Sequence, residues 1–417
     1  MEIAPLITEP TMLDRLRRQL DGLMSVDGVE VRQEPDRVIV FHGRVLGDVE
    51  AAFDRLSERL ATLDYTAMLI EAEPGPHQLL AIRGVVQERP RRRWINLFLF
   101  ALTVVSTMFT GLSLRVDFGS AWWYFSGLPF AASLLAILLA HEFAHYFVGR
   151  RYGSPLSLPY FIPMPLGILG TMGAVIFQRT PMRDRKALFD IGIAGPLAGL
   201  AVAIPLLFVG LAFTRVDSTA DGAELEALQQ QIASQCARAD NGLENFFCSL
   251  ISGENVTNIR EGNSLLYLAA KYLMKGKILP NEAGEDVQLS WPPSPGGPVV
   301  FAAWAGLLVT ALNLLPIGQL DGGHVAYALL GRRAWTLAYA VIGMMGMLAL
   351  YLGLNGNPAA VTWGVWVGLA ALFGPRHPPP LNDVTRLGAR RVLLGILLLV
   401  IFVLIFVPVP LVEVPLS

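Results

Sequence analysis

Over residues 1 to about 90 charged positions recur every few residues, and no apolar run approaches the roughly 20 residues a helix needs to cross hydrocarbon. The spacing of apolar positions predicts helices over Asp14 to Met24 and Asp48 to Leu63. It predicts strands over Val29 to Arg32, Arg37 to Val45, Ala67 to Glu71 and Leu79 to Val85, with turns at Gln33-Glu34-Pro35-Asp36 and Pro74-Gly75-Pro76. The expectation is a small soluble α/β sandwich over 1–90, suited to regulation or docking more than to chemistry. From Arg91 the pattern becomes that of a multi-span α-helical membrane protein. Seven apolar stretches read as spans, near 94–114, 121–150, 186–213, 298–316, 335–354, 359–374 and 391–410. The basic clusters Arg91 to Arg93, Arg150 with Arg151, Arg183 to Lys186, Arg332 with Arg333, and Arg386 to Arg391 all fall on one face of that arrangement. This places the N-terminal domain in the cytoplasm and the C-terminus outside. Met1 to Pro10 lacks the basic region and apolar core of a secretory signal, which agrees with a cytoplasmic start.

The expected organisation is therefore the soluble unit at 1–90, three spans over 91–213, an extracytoplasmic insertion over 214–297 and the later spans over 298–417. The insertion holds Cys236 and Cys248, which an outer compartment would allow to pair or leave as free thiols. Asn255-Val256-Thr257 matches a glycosylation sequon but is too short a pattern to carry weight. Ser264 to Met274 is apolar enough to lie along the interface. Two segments resist continuous helix. Pro155 to Phe177 carries Pro159, Pro163, Pro165, Gly167, Gly170 and Gly173 and reads as a re-entrant hairpin, and Pro316-Ile317-Gly318-Gln319 is a second break. Irregular backbone survives at membrane depth only where protein buries it or a wet cavity borders it, so both breaks point toward a site.

Composition narrows the chemistry. Of 417 residues 53% are hydrophobic and 16% charged, against about 25% charged in an average soluble chain, and the mean hydropathy is +0.49. A net charge of −2 gives no basic surplus for a phosphate backbone, so a nucleic acid partner is not expected. With 2 cysteines and 6 histidines the chain cannot build a repeated CxxC zinc ribbon, and a metal site must draw on histidine and carboxylate. At the cytoplasmic end of the second span stands His141-Glu142-Phe143-Ala144-His145. Residues i and i+4 lie about 40° apart around a helix, so both imidazoles face one side and can hold one Zn²⁺, with Glu142 beside them as a base toward water. The alternatives are a polar trio serving as the ion or proton site of a secondary transporter, or an inactive membrane scaffold. In Asn313-Leu314-Leu315-Pro316-Ile317-Gly318-Gln319-Leu320-Asp321-Gly322-Gly323-His324 a lone carboxylate stands at the inner end of the fourth span, on the same side as the histidines. Asp321 can complete a set of two histidines and one carboxylate that leaves a position open for catalysis. On spacing alone His324 can instead be the third ligand or a supporting donor.

These paired motifs, His141 to His145 and Leu320-Asp321-Gly322-Gly323, resemble those of the site-2 proteases, zinc metalloproteases that cut membrane-anchored proteins within or near the bilayer. Gly195-Pro196-Leu197-Ala198-Gly199 and Gly170-Thr171-Met172-Gly173 are similar to further segments of that family, and the likeness covers about residues 130–330. It implies His141, His145 and Asp321 as zinc ligands and Glu142 as catalytic base, and it ranks Asp321 ahead of His324. Gly43-Arg44-Val45-Leu46-Gly47-Asp48 and Pro378-Pro379-Pro380-Leu381-Asn382-Asp383 look like the branch with plastid members and prokaryotic relatives. The long outer insertion without a PDZ signature departs from another branch of the family. Among the other candidates, Asn313 is an auxiliary residue, a donor to substrate or oxyanion or else an interhelical contact. His42, His77 and His377 are expected to be solvated, Gly195 and Gly199 to serve close helix packing, and Met344, Met345 and Met347 to face lipid or core. Since a membrane helix hides its peptide bonds, the substrate must unwind, and strand pairing with the 155–177 hairpin can hold it extended.

Overall fold

The computed structural model describes residues 10–32, 38–71, 76–84, 93–113, 123–154, 156–165, 167–178, 181–218, 259–281, 284–289, 294–357 and 359–413. The start of the chain folds as two helices, α1 (Pro10–Leu20) and α2 (Val49–Ala61), against a four-stranded antiparallel sheet. Its strands are β1 (Met24–Arg32), β2 (Val38–Val45), β3 (Tyr65–Glu71) and β4 (His77–Arg83), in the order β1-β2-β4-β3. Leu16, Leu20, Phe53, Leu56 and Leu60 from the helices bury against Ile39, Phe41, Leu69, Leu79 and Ala81 of the strands. The Gly43 to Asp48 segment has local causes: a Cβ on Gly43 would strike the Ser25 carbonyl across the sheet, and the Asp48 carboxylate accepts a hydrogen bond from the Ala51 N–H to cap α2. His42 and His77 stay at the sheet surface, where His77 Nδ1 accepts from the Val45 N–H at 3.2 Å.

The remaining chain is built from apolar helices: α3 (Arg93–Ser113), α4 (Leu128–Arg151) and α5 (Arg185–Ala212), then α6 (Leu265–Lys275), α7 (Gly297–Asn313), α8 (Asp321–Leu330), α9 (Arg333–Leu354), α10 (Ala359–Phe373) and α11 (Ala389–Ile405). A one-turn helix, Trp123–Gly127, leads into α4. Among the described residues four helical segments are long and apolar enough to cross a bilayer, at Arg93–Leu112, Phe125–Arg151, Arg185–Ala212 and Arg333–Leu354. The chain is thus a multi-helix membrane protein with a small N-terminal sheet unit. Helix α7 lies at its centre, packed between α4 and α5, and Phe130, Phe301 and Trp304 stack in series at 5.6 and 5.4 Å. The Met344 to Met347 cluster divides, with Met345 buried and Met344 and Met347 exposed on α9.

The breaker-rich segment after α4 forms an antiparallel hairpin of β5 (Tyr160–Pro163) and β6 (Thr171–Val175). Helix α3 holds it along its length: Asn96 Nδ2 donates to the Leu158 and Pro159 carbonyls at 3.1 and 2.9 Å, Ser106 Oγ to the Gly170 carbonyl at 2.6 Å and Thr110 Oγ1 to the Gly167 carbonyl at 3.3 Å. Gly170 has φ +70°, and a Cβ there would lie 2.7 Å from the Ser106 carbonyl oxygen, so the contact admits only glycine.

On the far side of the helices, β7 (Val216–Ser218) pairs with β9 (Glu285–Val287), and β8 (Ile259–Glu261) pairs with β10 (Leu411–Glu413). Ser264 to Met274 is expected along the interface; α6 exposes Leu265, Tyr272, Leu273 and Met274, and its other face carries a buried ionic cluster. Lys271, fully buried, donates to Asp286 Oδ1 at 2.8 Å and lies 3.7 Å from Glu261 Oε1, which also accepts from Tyr267 Oη at 2.9 Å. Cys236, Cys248 and the Asn255 sequon lie outside the described residues.

Candidate metal centre

Helix α4 presents His141, Glu142 and His145, all buried at 4%, 5% and 8% exposure. The orientation of His145 is set by α5: its Nδ1–H donates to the Ile191 carbonyl at 2.8 Å, which in the neutral ring leaves Nε2 as a lone pair. Metal-bound histidines commonly use their second ring nitrogen in this way. The same helix makes room for the rings. Gly192, Gly195 and Gly199 recur at helical spacing, and a Cβ on Gly195 would collide with the His145 ring, while one on Gly199 would come to 3.3 Å from His141 Nδ1. Gly195 and Gly199 are expected from the sequence to serve close helix packing, and the group that α4 presses against them is the imidazole pair, while Gly192 lies against His324 and Val325 of α8. The HExxH spacing was the available signal, because two histidine rings on a crowded helix face need a partner without side chains.

Asp321 arrives from 180 residues away in sequence as the first residue of α8. The loop from α7 doubles back beneath it, and Gly322 and Gly323 permit this: a Cβ on Gly322 would strike the Leu314 carbonyl, and one on Gly323 the Gly318 carbonyl. The expected break at 316–319 is therefore the turn that aims the carboxylate. Asp321 Oδ2 lies 3.1 Å from His141 Nε2, Oδ1 lies 3.2 Å from His145 Nε2, and the two Nε2 atoms are 3.1 Å apart. A tetrahedral site with bonds of about 2.0–2.1 Å has ligand atoms about 3.3 Å apart; here each histidine meets a different oxygen of the carboxylate, so the donor set has the chemistry of a zinc site and nearly its spacing. Each residue offers one ligand atom, and these lie within 4.8 Å of one another.

Asn313, the last residue of α7, brings Nδ2 to 3.4 Å from His141 Nε2. Among the described residues none hydrogen-bonds the Glu142 carboxylate, which leaves it uncommitted beside the cluster. His324 turns away: its Nδ1 lies 2.6 Å from His377 Nε2, so Asp321 and not His324 meets the histidine pair. His377 corrects an expectation. It is 6% exposed rather than solvated, and burial, with His324 beside it, pushes its pKa down. The pair lines a cleft of about 200 Å³ with Gln178, Met182, Gln319 and Pro378 to Pro380.

Comparison with known proteins agrees with this geometry. A family model described as peptidase family M50 matches residues 129–354. The probable zinc metalloprotease EGY1, chloroplastic, of Arabidopsis thaliana is 29% identical over 413 residues, covering 89% of this chain and 66% of its own length. Its Oryza sativa subsp. japonica counterpart is 28% identical, covering 89% and 62%. The probable zinc metalloprotease EGY3, chloroplastic, of Oryza sativa subsp. indica is 30% identical, covering 67% and 42%. The chain thus spans about two thirds or less of the length of these relatives, and no solved structure matches it. None of these relatives carries a transporter name. The matched segment covers more than half the chain and encloses His141, Glu142, His145 and Asp321, and the chain belongs to peptidase family M50.

Proposed function

We propose that this chain is an intramembrane zinc metalloprotease that hydrolyses peptide bonds of membrane-anchored protein substrates within or near the bilayer. The observation that carries the reading is the convergence of His141, His145 and Asp321 from two distant helices onto one tetrahedral-sized cluster. These three residues hold the ion. Zinc bound there supplies a Lewis acid that polarises a carbonyl and acidifies water. Glu142, buried and adjacent, accepts a proton from the attacking water and passes it to the leaving amine. Asn313, within 3.4 Å of His141, donates to the developing oxyanion or to the substrate backbone.

The hairpin supports the re-entrant reading. Its contacts on α3 run from Asn96 to Thr110, and 14 residues span about 21 Å along a helix axis against about 30 Å of hydrocarbon. Strand β6 offers an unwound substrate segment backbone partners at that depth. Helices α3, α4, α5, α7, α9, α10 and α11 then make seven crossings. This puts the 1–90 unit in the cytoplasm as a regulatory or docking domain, the 214–297 insertion outside and the C-terminus outside. Helices α10 and α11, at 15 and 17 residues, extend only about 22–26 Å, and the bilayer thins around them; α7, also 17 residues, is enclosed by the other helices.

The test is purification in detergent, metal analysis, and cleavage of single-span peptides by wild type and Glu142→Gln. The expectation is zinc in both and cleavage by wild type alone; undiminished cleavage by Glu142→Gln removes the proposed base.

A further inference from the structure

The Pro378 to Asp383 segment marked a subfamily in the sequence, and the structure gives it a mechanical place. Residues 381–383 lie as a short strap between the edge strand β3 and the segment that opens α5. On one side the Leu69 N–H donates to the Leu381 carbonyl at 2.6 Å and the Asp383 N–H to the Leu69 carbonyl at 2.9 Å. On the other the Leu381 N–H donates to the Met182 carbonyl and the Asn382 N–H to the Arg183 carbonyl, both at 2.8 Å. Leu381 and Val384 pack into the N-terminal core. Asp383, nearly buried, reaches both helices that flank the metal cluster: Oδ1 accepts from Arg185 Nε at 2.9 Å at the start of α5, and Oδ2 accepts from Tyr327 Oη at 3.1 Å on α8. Helix α5 orients His145 through Ile191, and α8 begins with Asp321. The N-terminal unit is clasped to the same place by Asp54 with Arg183, at 2.8 and 2.6 Å, and by Glu50 with Lys186.

From this juxtaposition we infer that Asp383 is a positioning residue for the metal centre, and that the N-terminal sheet, by holding the strap on the edge of β3, sets how α8 sits against α5. The residue touches no ligand. It ties the helix that orients His145 to the helix that begins with the carboxylate, and the 3.1–3.2 Å separations within the cluster depend on that tie. Removing a group that orients metal ligands typically lowers metal affinity about 10–100-fold. The inference rests on the zinc reading above.

The experiment uses full-length protein in detergent, with two readouts: zinc retention against a chelator, and the visible spectrum of the cobalt-substituted protein, whose band intensity reports tetrahedral geometry. Asp383→Asn keeps size and removes charge; Tyr327→Phe removes one hydroxyl and keeps the ring against Trp335 and His377. Both are expected to weaken zinc retention about tenfold or more and to alter the cobalt bands. Asp54→Arg, on the N-terminal unit and remote from the cluster, is expected to do the same by repelling Arg183. The swap Asp54→Arg with Arg183→Asp is expected to restore both readouts, a rescue that general destabilisation does not produce. Should Asp383→Asn fail to fold, Tyr327→Phe and the charge swap decide the matter. Wild-type retention and spectrum in these variants overturn the inference alone, as does an Asp54→Arg protein identical to wild type; a wild-type protein that retains no zinc overturns the metal reading as well.

Discussion

Replacing Gly195 by alanine adds one methyl group at the point where α5 meets the His145 ring. The new Cβ would lie 2.0 Å from Nε2 of His145, the ligand atom itself, and 2.6 Å from both Cδ2 and Cε1, and the ring must retreat by about 1.4 Å to recover an ordinary 3.4 Å contact. Metal ligation tolerates about 0.2 Å, and the displaced ring also strains its 2.8 Å bond to the Ile191 carbonyl. Zinc affinity is expected to fall about 10–100-fold. Overpacking costs about 1–3 kcal/mol, while alanine's helix propensity returns about 1 kcal/mol over glycine, so global stability is a weak reporter and zinc retention is the informative one. Gly199→Ala is the matched control: its Cβ comes to 3.3 Å from His141 Nδ1, which needs a shift of only tenths of an ångström, and less than a tenfold loss is expected. The assay is chelator competition on purified protein, with thermal unfolding to establish that each variant is folded. A Gly195→Ala protein that holds zinc as tightly as wild type would refute the argument that this glycine exists to seat the imidazole.

Glu142→Gln is expected to lower cleavage by about 10²–10⁴-fold with zinc content unchanged, measured by peptide cleavage beside metal analysis. Gly170→Val, which forces a side chain against the Ser106 carbonyl in a left-handed conformation, is expected to impair cleavage while zinc stays bound; unaffected turnover would exclude the hairpin from substrate handling. On the far side of the helices, Lys271→Met strands Asp286 and Glu261 without their cation, and thermal or denaturant unfolding should show a loss of about 3–5 kcal/mol.

How much of this the sequence discloses depends on the range of the interaction. The HExxH pair is local, and helical periodicity alone places both rings on one face. Strand and helix positions in the N-terminal unit follow largely from short-range patterning: β2, β3 and β4 lie within about two residues of where it puts them, whereas α1 ends at Leu20 rather than Met24 and β1 begins at Met24, ahead of the expected Val29. The break at 316–319 was readable from its proline and glycine. Helix α8 immediately after it was not, because ten residues of unremarkable apolar composition give no boundary signal beyond the aspartate that starts them. Burial of His377 was equally hidden: it lies outside any apolar run, and only the fold brings His324 and Tyr327 of α8 against it. The strap at 381–383 has no period and no amphipathic face, since its partners are backbone groups of segments some 200 and 300 residues distant.

The central claim is that His141, His145 and Asp321 hold one zinc ion between them. Its most direct test is the zinc stoichiometry of purified wild type, Asp321→Asn and His145→Ala after dialysis against a chelator. The account predicts one zinc per chain in wild type and little or none in the variants; a folded Asp321→Asn protein that keeps a full equivalent of zinc under those conditions would contradict it.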